Sequence, residues 1–330
     1  MARKHHLLDE DDVRVRPGRS KSRPRSKDRP DHAEAVPGTI ITVDRGRFTV
    51  VLDDGTPAYA VKARELGRKG LVVGDRVDVI GDMSGDTDTQ GRIVRRQERV
   101  STLRRTADDT DPVERVIVAN ATQLAVVTAT VDPEPRTGLI DRALVAAYDA
   151  GIEPLLVITK TDLAAPTSLL ALYGPLDVPI HLIAGRRVPD DLISALRDEA
   201  TVLVGHSGVG KSTLVNNLVP SADRSTGHVN ATTGKGRHTS TSVMALPMPD
   251  GGWIIDTPGI RSFGLAHVDL DRVIAAFPDL AELTAECPRG CSHDEPECAL
   301  DTATDAGMQA RIESLRRMIR SRTVDDEQAF

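Results

Sequence analysis

The sequence predicts a multidomain chain: a small β-barrel, then a doubly wound and largely parallel α/β sheet, then a short α-helical unit built around a metal-binding cluster. Three observations predict it. Short β segments with turn signals fill residues 36 to 100, continuous apolar strands alternate with amphipathic helices from about residue 113, and all three cysteines fall close together near the end of the chain. With 330 residues the chain is long enough for two or three such units and a substantial core.

Residues 1–35 come before the barrel. Between positions 13 and 30 stand eight Lys/Arg and a single acid, Asp28, a local charge of +7 in a chain whose total is −7. Pro, Ser and Arg dominate "RVRPGRSKSRPRSKDRP" and leave almost nothing to bury, so a disordered basic arm is expected. It is either a solubilising tail or an arm that neutralises nucleic-acid phosphates. The first twenty residues are charged, unlike a secretory signal, and no apolar run approaches the roughly 18 residues that span a bilayer. A cytoplasmic, monomeric protein with no membrane segment is the expectation.

Residues 36–101 read as four or five strands: "GTIITVDRG", "RFTVVLDDGTPAYAVKA", "GDRVDVIGDM" and "GRIVRRQERV". Asp54-Gly55 is a hairpin turn. The spacing and Gly-rich corners suggest a barrel of OB type, with an SH3-like barrel as the competitor. Only Phe48 and Tyr59 are aromatic here. Contacts to folded RNA through backbone and shape are therefore expected ahead of stacking on splayed bases.

Residues 102–265 carry strand candidates at 123–129, 154–159, 180–184, 201–205, 242–246 and 252–256, with helices near 139–150, 190–199 and 211–219. Runs such as "LLVIT" and "TVLVG" suit strands buried on both faces of a parallel sheet. Between "TVLV" and "STLVNNLV" lies Gly205, His206, Ser207, Gly208, Val209, Gly210, Lys211, Ser212, Thr213, a phosphate-loop pattern in the strand–loop–helix setting its physics requires. Its glycines let backbone N–H groups converge on a β-phosphate, Lys211 bridges β- and γ-oxygens, and Ser212 suits Mg²⁺. Asp256-Thr257-Pro258-Gly259 follows the strand "GWIID" and fits an aspartate near Mg²⁺ with a glycine that senses the γ-phosphate. A D-x-x-G quartet arises about once by chance in a chain of this size, so its weight comes from the preceding strand.

Thr159-Lys160-Thr161-Asp162 ends the strand "LLVIT". A carboxylate there can accept two hydrogen bonds from guanine, whereas adenine would leave it unpaired. Ala184-Gly185, after "IHLI", can add a backbone contact to the base. The base motif precedes the phosphate loop, the reverse of the usual order. Sites in open α/β sheets are assembled at strand ends, so chain order is no obstacle.

Base motif, phosphate loop, "GRHTST" and "DTPG" follow the order of the circularly permuted GTPases. Together with the N-terminal barrel, "DTPGIRSFGL" and "CPRGCSHDEPECA", the chain after about residue 36 closely resembles the RsgA family of ribosome small subunit-dependent GTPases. The resemblance implies an OB domain, a permuted GTPase domain and a C-terminal zinc domain (266–330). It also implies GTP/GDP and Mg²⁺ as ligands, the small (30S) ribosomal subunit and its rRNA as partners, and subunit-stimulated hydrolysis during late maturation of that subunit. Alternatives are a GTP-gated rRNA-binding protein with incidental turnover, or action on another ribosomal particle.

Between the two phosphate motifs, residues 227–241 form a Gly- and Thr-rich, basic stretch that reads as a loop ordered by bound GTP. Thr239, or else Ser240 or Thr241, can reach Mg²⁺ from it. The position where Ras-like enzymes carry a water-orienting Gln is Ile260, which cannot hold water. The resemblance suggests His238 as the substitute; an rRNA contact is the other reading of that residue. Cys287, Cys291, His293 and Cys298 supply three thiolates and an imidazole for one structural tetrahedral Zn²⁺. Related sequences usually have one more residue in the first and last gaps.

Overall fold

In the computed structural model the described residues are 8–9, 32–67, 70–85, 90–105, 113–220, 243–258, 265 and 268–321. The basic stretch at 13–30, the loop at 227–241 and Gly259 lie outside them. Within the expected arm, β1 (Leu8–Asp9) pairs in parallel with the start of β8 (Val113–Ala119). Strand β8 also pairs with β7 (Thr102–Arg105) as an antiparallel hairpin that the sequence reading did not anticipate.

Five strands make the barrel: β2 (Val36–Asp44), β3 (Arg47–Leu52), β4 (Pro57–Lys62), β5 (Arg76–Gly81) and β6 (Gly91–Arg96). Their order closes as β2-β3-β4-β6-β5-β2, with β4 and β6 parallel. That closed five-stranded order is the OB arrangement. Period-two alternation sends Phe48, Val50 and Leu52 inward from β3. Phe48 is therefore a core residue and offers no stacking face. At the predicted turn, Gly55 takes a positive φ of 86° and the Thr56 N–H donates to Asp54 Oδ1 at 2.8 Å.

The barrel meets the β7–β8 pair, which forms a sheet apart from the α/β one, at a tight seam. A Cβ on Gly74 would lie 1.9 Å from the carbonyl oxygen of Ala119, so only glycine fits there. Beside it the Asp75 carboxylate, fully buried, accepts from Arg99 Nε and Nη2 at 2.6 and 2.8 Å. Further along, β13 (Met244–Pro247) touches the barrel through one register pair, Met244 with Thr42, and pairs with β14 (Trp253–Asp256) through four.

The α/β sheet runs β11 (Ile180–Leu182), β10 (Glu153–Thr159), β9 (Gln123–Ala129), β12 (Ala200–Val204), β14 and β13, parallel except for β13. Both faces are covered, and successive strand residues divide between two cores. Leu124, Val126, Leu156, Ile158, Val202 and Val204 face one; Ala125, Val127, Leu155, Val157 and Leu203 face the other. On the second face lie α3 (Asp190–Leu196) and α4 (Lys211–Leu218); on the first lie α1 (Thr137–Asp149) and α2 (Thr167–Tyr173).

The C-terminal helices α5 (Leu270–Ala275), α6 (Pro278–Thr284) and α7 (Ala306–Arg320) share the first core, with Phe277, Leu315 and Met318 in one cluster with Ile140 and Leu144. Charged groups reinforce the junction. Arg317 Nε donates to the Asp141 carboxylate at 3.0 Å, Nη2 donates to the Leu172 carbonyl, and the guanidinium lies 4.8 Å over the Tyr173 ring. Arg142, 1% exposed, donates to the Ser321 carbonyl at 2.8 Å. Burial pushes the Asp141 carboxyl pKa up, and Arg317 opposes it.

Asp141→Ala strands a half-buried guanidinium and is expected to cost about 3–5 kcal/mol. Arg320→Ala, which removes the exposed pair with Asp294, is expected to stay within about 1 kcal/mol. Equal urea midpoints for the two variants would contradict the structural weight given to Asp141.

Candidate nucleotide and metal sites

The strand ends bring the predicted motifs together. β10, β9 and β12 are parallel and in register, Thr159 beside Ala129 and Val204 beside Val126, so the base motif and the phosphate loop leave the same edge of the sheet. Thr159, 6% exposed, joins them directly. Its hydroxyl donates to the Val209 carbonyl at 2.7 Å and lies 3.1 Å from the Thr128 carbonyl. Lys160 follows with a left-handed φ of 59°, and its ammonium donates to the Asp132 carbonyl, while Thr130 Oγ1 donates to the Lys160 carbonyl at 2.7 Å. Asp162 Oδ1 accepts from the Gly185 N–H at 2.7 Å, and the Thr161 N–H donates to the Ile183 carbonyl. Of the predicted pair Ala184-Gly185, it is Gly185 that this structure links to the carboxylate.

The phosphate loop has the conformation that its glycines permit. Gly205, Gly208 and Gly210 have φ of 149°, 84° and 99°, and a Cβ on Gly205 would approach the Val127 carbonyl oxygen to 2.2 Å. His206 Nδ1 lies 2.9 Å from the Ser207 carbonyl oxygen. Lys211 opens α4 and donates through Nζ to the carbonyls of Gly205 and His206 at 2.5 and 2.8 Å. Burial pulls the Lys211 ammonium pKa down, opposed by Asp256; burial pushes the Asp256 carboxyl up, opposed by Lys211. A polyphosphate with its cation supplies what each group lacks, so these residues fit such a ligand. Ser212 and Thr213 lie in the first turn of α4, and Asp256 ends β14, the strand beside β12 that pairs with it at Leu203. The buried Thr257 hydroxyl donates to the Leu203 carbonyl at 2.8 Å and holds the Asp256 turn against β12. Gly259, His238, Thr239, Ser240 and Thr241 lie outside the described residues.

Beside the base motif is a cavity of about 180 Å³ with Ile183, Val188, Val209 and Leu214 as its apolar walls and Thr159, Lys160, Gly185, Arg186 and Asn217 among the rest of its lining. The sequence reading missed Val188, Arg186 and Asn217 as well as Thr130 and Asp132. Arg186 adjoins a motif already singled out and was accessible on that ground; Asn217, one turn and a half into α4, carries no signature.

In the C-terminal unit the four candidate ligand atoms of Cys287, Cys291, His293 and Cys298 all lie within 4.8 Å of one another. Cys287 Sγ is 3.7 Å from Cys298 Sγ and 3.6 Å from His293 Nδ1. A tetrahedron with Zn–S bonds of about 2.3 Å has S···S edges of about 3.8 Å, so the arrangement suits zinc despite the shortened gaps. His293 and Glu297 take left-handed φ values of 63° and 71° that turn the chain around the cluster. Burial lowers the His293 imidazole pKa, favouring the neutral form that ligates metal. The Ala299 N–H donates to Cys287 Sγ, as a backbone partner to a thiolate would.

A family model described as RsgA GTPase matches residues 96–266, just over half of the chain. The small ribosomal subunit biogenesis GTPase RsgA of Ectopseudomonas mendocina is 41% identical over 268 residues, covering 78% of this chain and 76% of that protein. The protein of the same name from Pseudomonas aeruginosa is 42% identical over 217 residues, 62% of this chain and 64% of that one. The crystal structure of YloQ, a circularly permuted GTPase, is similar with a TM-score of 0.63 at 25% identity, covering 89% of this chain and 98% of that one. In this chain, too, the strand that carries the base motif precedes the strand that feeds the phosphate loop while both end at one edge of the sheet. The chain belongs to the RsgA GTPase family and is a GTP hydrolase in circularly permuted order.

Proposed function

We propose that this chain binds the small (30S) ribosomal subunit through its rRNA and hydrolyses GTP to GDP and phosphate during late maturation of that subunit, with the subunit stimulating turnover. It works in the cytoplasm as a monomer, with residues 36–101 as the barrel domain, 102–265 as the GTPase domain and 266–330 as the zinc-binding domain. The relatives' printed name supports the partner. The observation that carries the nucleotide chemistry is the Thr159 hydroxyl on the Val209 carbonyl, which fixes base reading and phosphate binding at a set spacing. No described helix is long and apolar enough to cross a membrane.

In this reading Asp162 pairs with the guanine edge, with Lys160, Thr161 and the Ala184-Gly185 backbone beside it. The amides of Gly205 to Thr213 and the Lys211 ammonium hold the phosphates. Ser212, Thr239 and Asp256, directly or through water, hold Mg²⁺, which neutralises charge on the transferred phosphoryl group. Gly259 senses the γ-phosphate. His238 orients the attacking water, a geometry completed on the ribosomal particle. Zn²⁺ on Cys287, Cys291, His293 and Cys298 is structural, since four protein ligands leave no open position.

The decisive experiment measures GTP turnover alone and with purified small or large subunits. Stimulation by the small subunit only is expected; equal stimulation by both, or by neither, would overturn the proposal. Asp162→Asn is expected to weaken GTP by at least about a hundredfold and to favour xanthine nucleotide; an unchanged base preference removes the base-reading role. His238→Ala is expected to keep GTP affinity and lose roughly a hundredfold of the stimulated rate, and a normal stimulated rate sinks that assignment. Metal analysis of protein purified without chelator should return about one equivalent of zinc, with chelation lowering thermal stability. Less than about half an equivalent contradicts the zinc site.

A further inference from the structure

A purine presents two broad π-faces, and a site must cover them if the base is to leave water. The cavity lined by Thr159, Lys160 and Gly185, the last of which holds Asp162, has apolar walls but, among the described residues, no aromatic side chain lines it. Aromatic residues make up only 2% of the chain. Lys160 stands at the rim, but its backbone is turned into the left-handed region and its ammonium is tied to the Asp132 carbonyl. A second cation, Arg186, follows Gly185, whose N–H donates to Asp162 and whose φ is 66°. That glycine turns the chain immediately after the carboxylate contact, and Arg186 lines the same cavity. Arg186 is exposed and makes no hydrogen bond or ion pair among the described residues. Its neighbour Val188 is 9% exposed and packs into the core with Leu192, which anchors the segment from the inside.

We infer that Arg186 is a base-positioning residue of this chain: its guanidinium lies over the face of the guanine whose edge Asp162 reads. The inference rests on the guanine-nucleotide reading of the site and deepens it. A guanidinium suits this position because it is planar and weakly hydrated, so it stacks on an aromatic face at little desolvation cost. An ammonium is compact and strongly hydrated, and it covers the same face poorly. Placed over the base, Arg186 acts equally on every guanine nucleotide, whatever the number of phosphates. An arginine acting as a charge on the phosphates would instead gain weight with each added phosphate.

Equilibrium binding of GMP, GDP and GTP to the full chain tests the inference, using wild type, Arg186→Ala, Arg186→Lys and Asp162→Asn. Arg186→Ala is expected to raise Kd by about tenfold, by the same factor for all three nucleotides, with Arg186→Lys recovering only part of the loss. Unchanged affinity in Arg186→Ala, a loss that grows with phosphate number, or wild-type affinity in Arg186→Lys would overturn it. Wild-type protein that fails to bind GDP, or an Asp162→Asn variant with unaltered base preference, would overturn the guanine reading itself. Normal behaviour of those two proteins with an unaffected Arg186→Ala overturns the stacking role alone.

Discussion

One buried hydroxyl ties the candidate nucleotide site together. Thr159 ends the strand that carries the base motif, and its donation to the Val209 carbonyl bolts that strand to the phosphate loop. Without this bond the two motifs would share a sheet edge but not a fixed separation. The parallel register of β10, β9 and β12 brings the loops close; the hydroxyl sets the distance to within a hydrogen bond's tolerance. A nucleotide is a rigid base and a charged tail on a flexible linker, so a fixed spacing between the two subsites reduces the ordering that binding requires.

Those parts of the fold that repeat with a short period, or that carry motifs at fixed spacing, were legible in the sequence. Strand β9 was read at its full extent, and β10 and β14 to within one residue, because apolar runs bounded by turn residues leave few alternatives. The phosphate-loop pattern, Thr159 to Asp162 and the four metal-ligand candidates stood out for a second reason: the chemistry expected of them needs particular residue types close together in the chain, and the fold brings each set together. What stayed hidden is long-range. Arg142 and Ser321 are 179 residues apart, and Arg317 and Asp141 are 176 apart. An arginine in a helix ordinarily signals a solvated face, yet Arg142 is among the largest fully buried side chains. The β7–β8 hairpin was missed because its short, Arg-rich first strand, "TLRR", lacks a clear alternation.

The C-terminal unit shows how sequence boundaries and packing boundaries part company. Its cysteines and helices read as a separate module, but Phe277, Leu315 and Met318 belong to the same apolar cluster as the first face of the α/β sheet. The candidate metal-ligand cluster joins that shared core through Cys298, with Cys287 and Cys291 packed against it. Cys298 and His293 are buried while Cys287 and Cys291 are half-buried, so the cluster closes a chain segment that has few apolar residues of its own. This is the usual circumstance in which a small loop-rich unit leans on a metal.

One feature of the sheet bears on how forces pass through the molecule. Strand β13 is gripped by β14 over four residue pairs and by the barrel over one, Met244 with Thr42. The eleven strands therefore do not form a uniform plate. They form two units joined in the sheet through that one pair. Met244 pairs with Asp256 as well as with Thr42, so the pair that joins the two sheets adjoins Asp256 directly, and a shift of the barrel would reach that carboxylate through a single residue.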